Sequence, residues 1–274
     1  MKGRPLRREG GIYRTLARNV LGELPQLPPV ELSRFSPDLV DEARAAWRER
    51  FASEYRSVQI FTRFLEEVTG AGDPLEVQAA VLDAVRDEMR HVALCAAACR
   101  ALGTEALLPE PVALRESPAF LAGSMPERAL TTALSMLVVN ETVSVGFIED
   151  LRARCTAPSL RMVLDETLSD EDGHRDFGWT YVRDSMQRFP HAALASWRKV
   201  VEHALAPHLR RASELLSALP PGRRTLEAWP DDDRAPLALF SPQRQALVFE
   251  RTVRETLWPR LRALELVSGE PALG

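Results

Sequence analysis

The sequence predicts an all-α protein, a four-helix bundle with additional C-terminal helices, and three features carry that expectation. Four long segments repeat apolar residues at alternating steps of four and three, the signature of helices with one buried face. Each of these segments opens on a proline-containing start signal. No segment combines β-branched alternation with hairpin turns, so strands are nearly absent from the expectation.

Residues 1–35 mix Arg, Gly and Pro, with LPQLPP at 24–29, and read as an extended arm holding one short helix around Tyr13 to Leu21. Ser36-Pro37-Asp38 then supplies an N-cap, a first-turn proline and an acid, and the first long helix runs to Gly70. After a short turn, Asp73-Pro74-Leu75-Glu76 restarts the chain, and the second helix continues to about Leu102, where Gly103 stops it. These two helices are expected to form an antiparallel hairpin. A proline-containing connection, long enough to cross the bundle, leads to a third helix over about 126–155; Ala157-Pro158-Ser159 opens a fourth that extends to about Gln187. Two further helical stretches follow, 191–218 with Pro207 as a kink and 242–266 capped by Ser241-Pro242, with the acidic loop Trp229 to Asp233 between them. The expected organisation is an arm (1–35), a bundle (36–188) and a helical extension packed on it (189–274).

Composition narrows the function classes. The chain has 274 residues with 35 Lys+Arg against 39 Asp+Glu, a net charge of −4, and 45% hydrophobic residues, enough to bury a substantial core. A pI near 5.8 gives no global basic field for a nucleic-acid backbone. No window reads as a membrane span, and the Arg-rich start lacks the apolar core of a signal peptide, so the expected location is cytoplasmic with no membrane partner. Cys95, Cys99 and Cys155 lie in apolar helical sequence and are expected to be reduced core residues.

The seams of the long helices carry the functional information. The first runs Val40, Arg44, Trp47, Phe51, Glu54, Val58, Phe61, Leu65, Val68, and past Arg44 only Glu54 interrupts it. The second runs Val81, Val85, Glu88, Val92, Cys95, Cys99, with His91 one turn beyond Glu88. In the third, Leu130, Leu134 and Leu137 precede Glu141; in the fourth, Leu160, Leu164 and Thr167 precede Glu171, with His174 three residues on. Each helix therefore buries one glutamate at mid-length. Buried carboxylates cost several kcal/mol per ion unless a cation sits among them, so four in one core point to metal. Residues i and i+3 share a helix face, which lets a Glu and a His converge on one centre. Four carboxylates and two imidazoles suit two divalent iron or manganese ions, and four negative charges balance two dications. Both motifs carry Asp before the Glu (Asp87-Glu88-Met89-Arg90-His91 and Asp170-Glu171-Asp172-Gly173-His174), which lowers the chance expectation from roughly 7% to about 10⁻⁴.

In this pattern of Glu, Glu-x-x-His, Glu, Glu-x-x-His over residues 37–187, the chain resembles the ferritin-like di-iron carboxylate superfamily. The resemblance implies a bundle with a long connection between its second and third helices. It implies Glu88 and Glu171 as bridging ligands, Glu54 and Glu141 as outer carboxylates, and His91 and His174 each on one ion. Asp87 and Asp170 would accept the imidazole N–H of the histidine on the opposing helix.

Superfamily members perform different reactions. The chain lacks the extra glutamate of rubrerythrins (Val138 stands three before Glu141) and their Cys-rich domain, and has Thr167 where aminoarene N-oxygenases carry a further histidine. The expected function is a non-haem di-iron oxidase or oxygenase that hydroxylates or N-oxygenates a small organic substrate with O2. Two Fe ions, with Mn or mixed Mn/Fe as alternatives, would be the cofactor; an external electron donor is implied and a homodimer is possible. The alternatives are a ferroxidase or peroxide-detoxifying protein, and a helical interaction protein with a vestigial metal site. Val58, Val92, Cys95, Leu137, Val145, Thr167 and Gly178 are expected beside the metals, either leaving a cavity or packing tightly. Gly173 is expected to mark a π-bulge or a close backbone contact. Arg90 and Arg175 are expected to be exposed, with pairing to nearby acids as the alternative; His191, His203 and His208 are assigned no metal, and the basic residues Lys2, Arg4, Arg7 and Arg8 read as a solvated tail.

Overall fold

A computed structural model describes residues 3–5, 10–109 and 114–273 of the chain. Its helices in order are α1 (Gly11–Leu21), α2 (Pro37–Gly70), α3 (Leu75–Ala101), α4 (Pro118–Ala122), α5 (Met125–Thr132), α6 (Glu141–Arg154), α7 (Pro158–Met186), α8 (Leu194–Ser217), α9 (Pro242–Thr252) and α10 (Trp258–Ala263). Two π-helical segments join neighbouring helices, Ala133–Asn140 between α5 and α6 and Val253–Leu257 between α9 and α10, and short 3-10 turns lie at His191–Ala193, Pro221–Arg223, Leu226–Ala228 and Ala235–Leu237. The all-α expectation holds among the described residues apart from one antiparallel pair of three-residue strands, β1 (Gly3–Pro5) with β2 (Leu107–Pro109). The helical boundaries fall within a few residues of the sequence signals.

The chain divides into two compact units, Met1–Ala122 with Cys155–Thr167, and Gly123–Arg154 with Leu168–Gly274. The first unit is organised by the α2–α3 hairpin. Ser36 accepts a hydrogen bond from the Leu39 N–H at 3.3 Å and Pro37 sits in the first turn, which starts α2 where its cap requires. Gly103, at φ +69°, ends α3; the Thr104 N–H reaches back to the Cys99 carbonyl at 2.9 Å, a closure that leaves few orphan carbonyls. Trp47, Phe51, Phe61 and Val68 of α2 and Val81 and Cys99 of α3 are fully buried, as their seams predict, whereas Val58, Leu65 and Val85 are only part-buried and Phe64 and Leu94, outside the traced seams, are fully buried. The arm is tied down at separate points: Val30 N–H to the Ala101 carbonyl (2.8 Å), and Ser159 hydroxyl to the Pro28 carbonyl (2.6 Å).

In the second unit, Ser124 and Glu127 form a reciprocal capping box at the head of a helical run that continues unbroken through the π segment to Arg154. Met125–Arg154 is long and apolar enough to cross a membrane by length and composition, yet 67% of its most apolar stretch is buried within the protein. Leu130, Leu134 and Leu137 are wholly buried there, as in a core helix. Gly146 permits close packing of α6 on α9, since a Cβ would stand 2.1 Å from the Thr252 hydroxyl. Asp150 binds Arg244 through two bonds of 2.6 and 2.9 Å and takes a third, at 2.8 Å, from Arg154. Burial works to raise the Asp150 carboxyl, but these guanidinium bonds hold it below the ordinary range. Arg244 also donates to the Leu226 and Trp229 carbonyls, so one side chain fixes α9 to the end of α6 and to the loop before it. Pro207 lies inside a continuous α8.

Candidate metal centre

Glu54 lies at the middle of α2 and Glu88 and His91 at the middle of α3, where the hairpin brings the two seams together. Glu88 is 1% exposed and His91 is fully buried, while the Glu54 side chain keeps 17% of its surface. His91 Nδ1 stands 3.7 Å from a Glu54 carboxylate oxygen and 3.7 Å from one of Glu88. On α7, His174 Nδ1 stands 3.6 Å from a Glu171 oxygen, and both residues are buried. The two Glu-x-x-His motifs thus fold into matching i,i+3 pairs.

Glu171 stands one turn beyond Thr167 on the unbroken helix α7. Glu54, Glu88, His91 and Glu171 form a group that could hold a metal ion: one donor atom from each lies within 4.8 Å of all the others. His174 flanks this group through Glu171, and Glu141 is buried at the first position of α6 without belonging to it.

The donor set suits an ion. Two ligands about 2.1–2.2 Å from one cation lie about 3–4 Å apart at ordinary coordination angles, and the Glu–His separations of 3.6 and 3.7 Å fall in that range, longer than hydrogen bonds between the same atoms. Hard carboxylate oxygens with an imidazole match divalent first-row metals.

A buried arginine and a buried cysteine lie in electrostatic reach of Glu54. Arg50 stacks over the Trp47 ring at 4.6 Å; burial lowers its pKa, opposed by Cys95, Cys155 and the Glu54 charge. Burial pushes the Cys95 thiol well up, and the Glu54 carboxylate adds to the shift, so this cysteine is a neutral packing residue. All three cysteines are free and buried, as expected from sequence. Asp87, before Glu88, keeps 14% of its side chain exposed and takes a 2.9 Å bond from Arg86; Asp170 is half-buried.

Two expectations change. Gly173 sits in regular α-helix, exposed, and a Cβ there would meet nothing within 4 Å, so it is neither a π-bulge nor a close contact. The π turn lies instead at Ala133–Asn140, where the Glu141 N–H donates to the carbonyl of Met136, five residues back. The apolar character of that segment, interrupted by Ser135 and ended by Asn140, is its one sequence signal: a π turn broadens the buried face, and six of its eight residues are buried. Gly178, by contrast, is a true close approach, since a Cβ would stand 2.4 Å from the Leu137 Cβ. Arg90 and Arg175 are not freely exposed, retaining 21% and 20% of their side-chain surface. Arg90 pairs with Glu166 and donates to the Leu21 and Glu23 carbonyls at 2.7 and 3.1 Å, a link from α3 to α7 and the arm that sequence spacing did not reveal. A cleft of about 760 Å³ along α8 and the C-terminal segment contains none of the residues expected to line a cavity.

No family model matches the chain, and no curated protein or solved structure matches it. Its class therefore rests on its own features: an all-helical protein with a buried carboxylate and imidazole group able to bind metal.

Proposed function

We propose that the chain is a ferritin-like di-iron oxidase or oxygenase that uses O2 to hydroxylate or N-oxygenate a small organic substrate. The observation that carries this reading is the four-residue donor group at the middle of the helices, together with a second Glu-x-x-His pair of the same internal spacing beside it. Glu54, Glu88, His91, Glu141, Glu171 and His174 would hold two iron ions. A redox-active ion pair there supplies O2 binding and reduction. One oxygen atom enters the substrate's C–H or N–H bond and the other leaves as water, with two electrons and two protons from an external donor.

The chain's own part is geometry and exclusion of water. Asp87 and Asp170 orient the imidazoles and keep each in one tautomer. The Thr142 hydroxyl accepts the Trp179 indole N–H at 3.2 Å, which anchors α6 next to Glu141 to α7. The buried apolar residues next to His91 on α3, Val92 and Leu94, keep solvent from the donors.

Anaerobic titration with Fe(II) is expected to saturate at two ions per chain, and admission of O2 to give an absorbing species whose decay a true substrate accelerates. Saturation below two ions, or turnover of many Fe(II) ions into a ferric mineral, overturns the reading; the second result would make iron itself the substrate.

A further inference from the structure

Helix α1 buries no residue fully, and its composition is two-faced. Ile12, Tyr13, Leu16 and Val20 project over an arc of about 100° and are 69%, 67%, 52% and 54% exposed, while Arg14 and Arg18 occupy the far side. Leu21, the half-buried residue of the helix, faces away from this stripe and is held where Arg90 grips its carbonyl at 2.7 Å. The helix is thus anchored at its C-terminal end and presents its apolar face outward.

Charge selects the occupant. Residues 1–23 contain Lys2, Arg4, Arg7, Arg8, Arg14 and Arg18 against the acids Glu9 and Glu23, the second of which pairs with Arg18 at 3.0 Å, in a chain whose net charge is −4. A second copy docking through the same stripe would set this cationic segment against itself, because a two-fold contact pairs each surface with its own image. An anionic bilayer surface meets both features at once: headgroups take the arginines while the stripe enters the acyl boundary. We propose that α1 is an interfacial helix that docks the protein on membranes rich in anionic lipid. Such docking needs no membrane-spanning segment, and it stands independently of the metal centre.

The test is co-sedimentation of the full chain with vesicles of phosphatidylcholine alone or with about one-third phosphatidylserine. Binding to the anionic vesicles only, weakened by salt, is expected. Neutralising Arg14 and Arg18 as Gln should weaken it roughly 5-fold per charge. The double variant Ile12→Asp with Leu16→Asp should weaken it at least ~30-fold, leaving circular dichroism unchanged because both residues are exposed. Absence of binding at low salt, binding indifferent to the Asp variant, or a dimer in solution that the Asp variant dissolves would each overturn the proposal.

Discussion

On α3, the Asp87–His91 segment sits in a helix whose next ten residues are almost all buried, and its arginine, Arg90, reaches Glu166 and two carbonyls of the arm. On α7, the Asp170–His174 segment has the same acids and imidazole, but Gly173 is exposed and Arg175 pairs only locally in what is described, with Asp172 at 3.0 Å and Asp176 at 3.4 Å. The Glu–His distances nevertheless agree to 0.1 Å, 3.7 against 3.6. Identical ligand spacing is therefore a property of helix geometry, whereas the arginine beside each histidine differs: Arg90 makes long-range bonds to Glu166 and the arm, and Arg175 pairs with acids of its own helix.

The largest expected effect separates ligands inside the four-donor group from the one beside it. Glu88→Ala should abolish binding of an ion pair, since Glu88 belongs to the group and is buried. His174→Ala should leave about one ion bound, held by Glu54, Glu88, His91 and Glu171. Metal analysis after anaerobic loading and desalting reads both. Loss of all metal in His174→Ala, with retention in His91→Ala, would reverse the ranking of the two motifs.

The parts of the site legible in sequence are those set by periodicity. Glu54, Glu88, Glu141 and Glu171 each broke an apolar seam, and all but the part-exposed Glu54 are at most 3% exposed. Helix ends were legible for a local reason as well: Ser36 and Ser241 cap the helices they precede. What escaped depends on partners distant in sequence. The Asp150–Arg244 pair spans 94 residues and Arg90–Glu166 spans 76, and nothing in local spacing selects one arginine among many. Glu67, fully buried yet outside the traced seam, pairs locally with Arg63 at 3.1 Å, one turn back on α2. The π turn escaped because an inserted residue shifts register without altering composition.

A middle-sized effect tests the anchoring difference itself. Arg90→Ala should destabilise the protein by about 1–3 kcal/mol, the range for charge-assisted hydrogen bonds in part-buried positions. Arg175→Ala, which removes only neighbouring pairs on one helix, should cost less than about 0.5 kcal/mol. Urea unfolding reads both through the midpoint. Equal losses would mean that the local pairs of Arg175 matter as much as the long-range bonds of Arg90.

The smallest effect concerns Gly173, between Glu171 and His174. A glycine in a helix interior costs ~1 kcal/mol relative to alanine, and here neither positive φ nor a neighbour within 4 Å requires it. Gly173→Ala should therefore raise stability by about 0.5–1 kcal/mol and leave metal stoichiometry unchanged, because the added methyl points to open space. A gain in stability accompanied by weaker metal binding would give the glycine a different meaning. The α7 motif would then depend on backbone freedom that the α3 motif, with Arg90 in the matching position, does without.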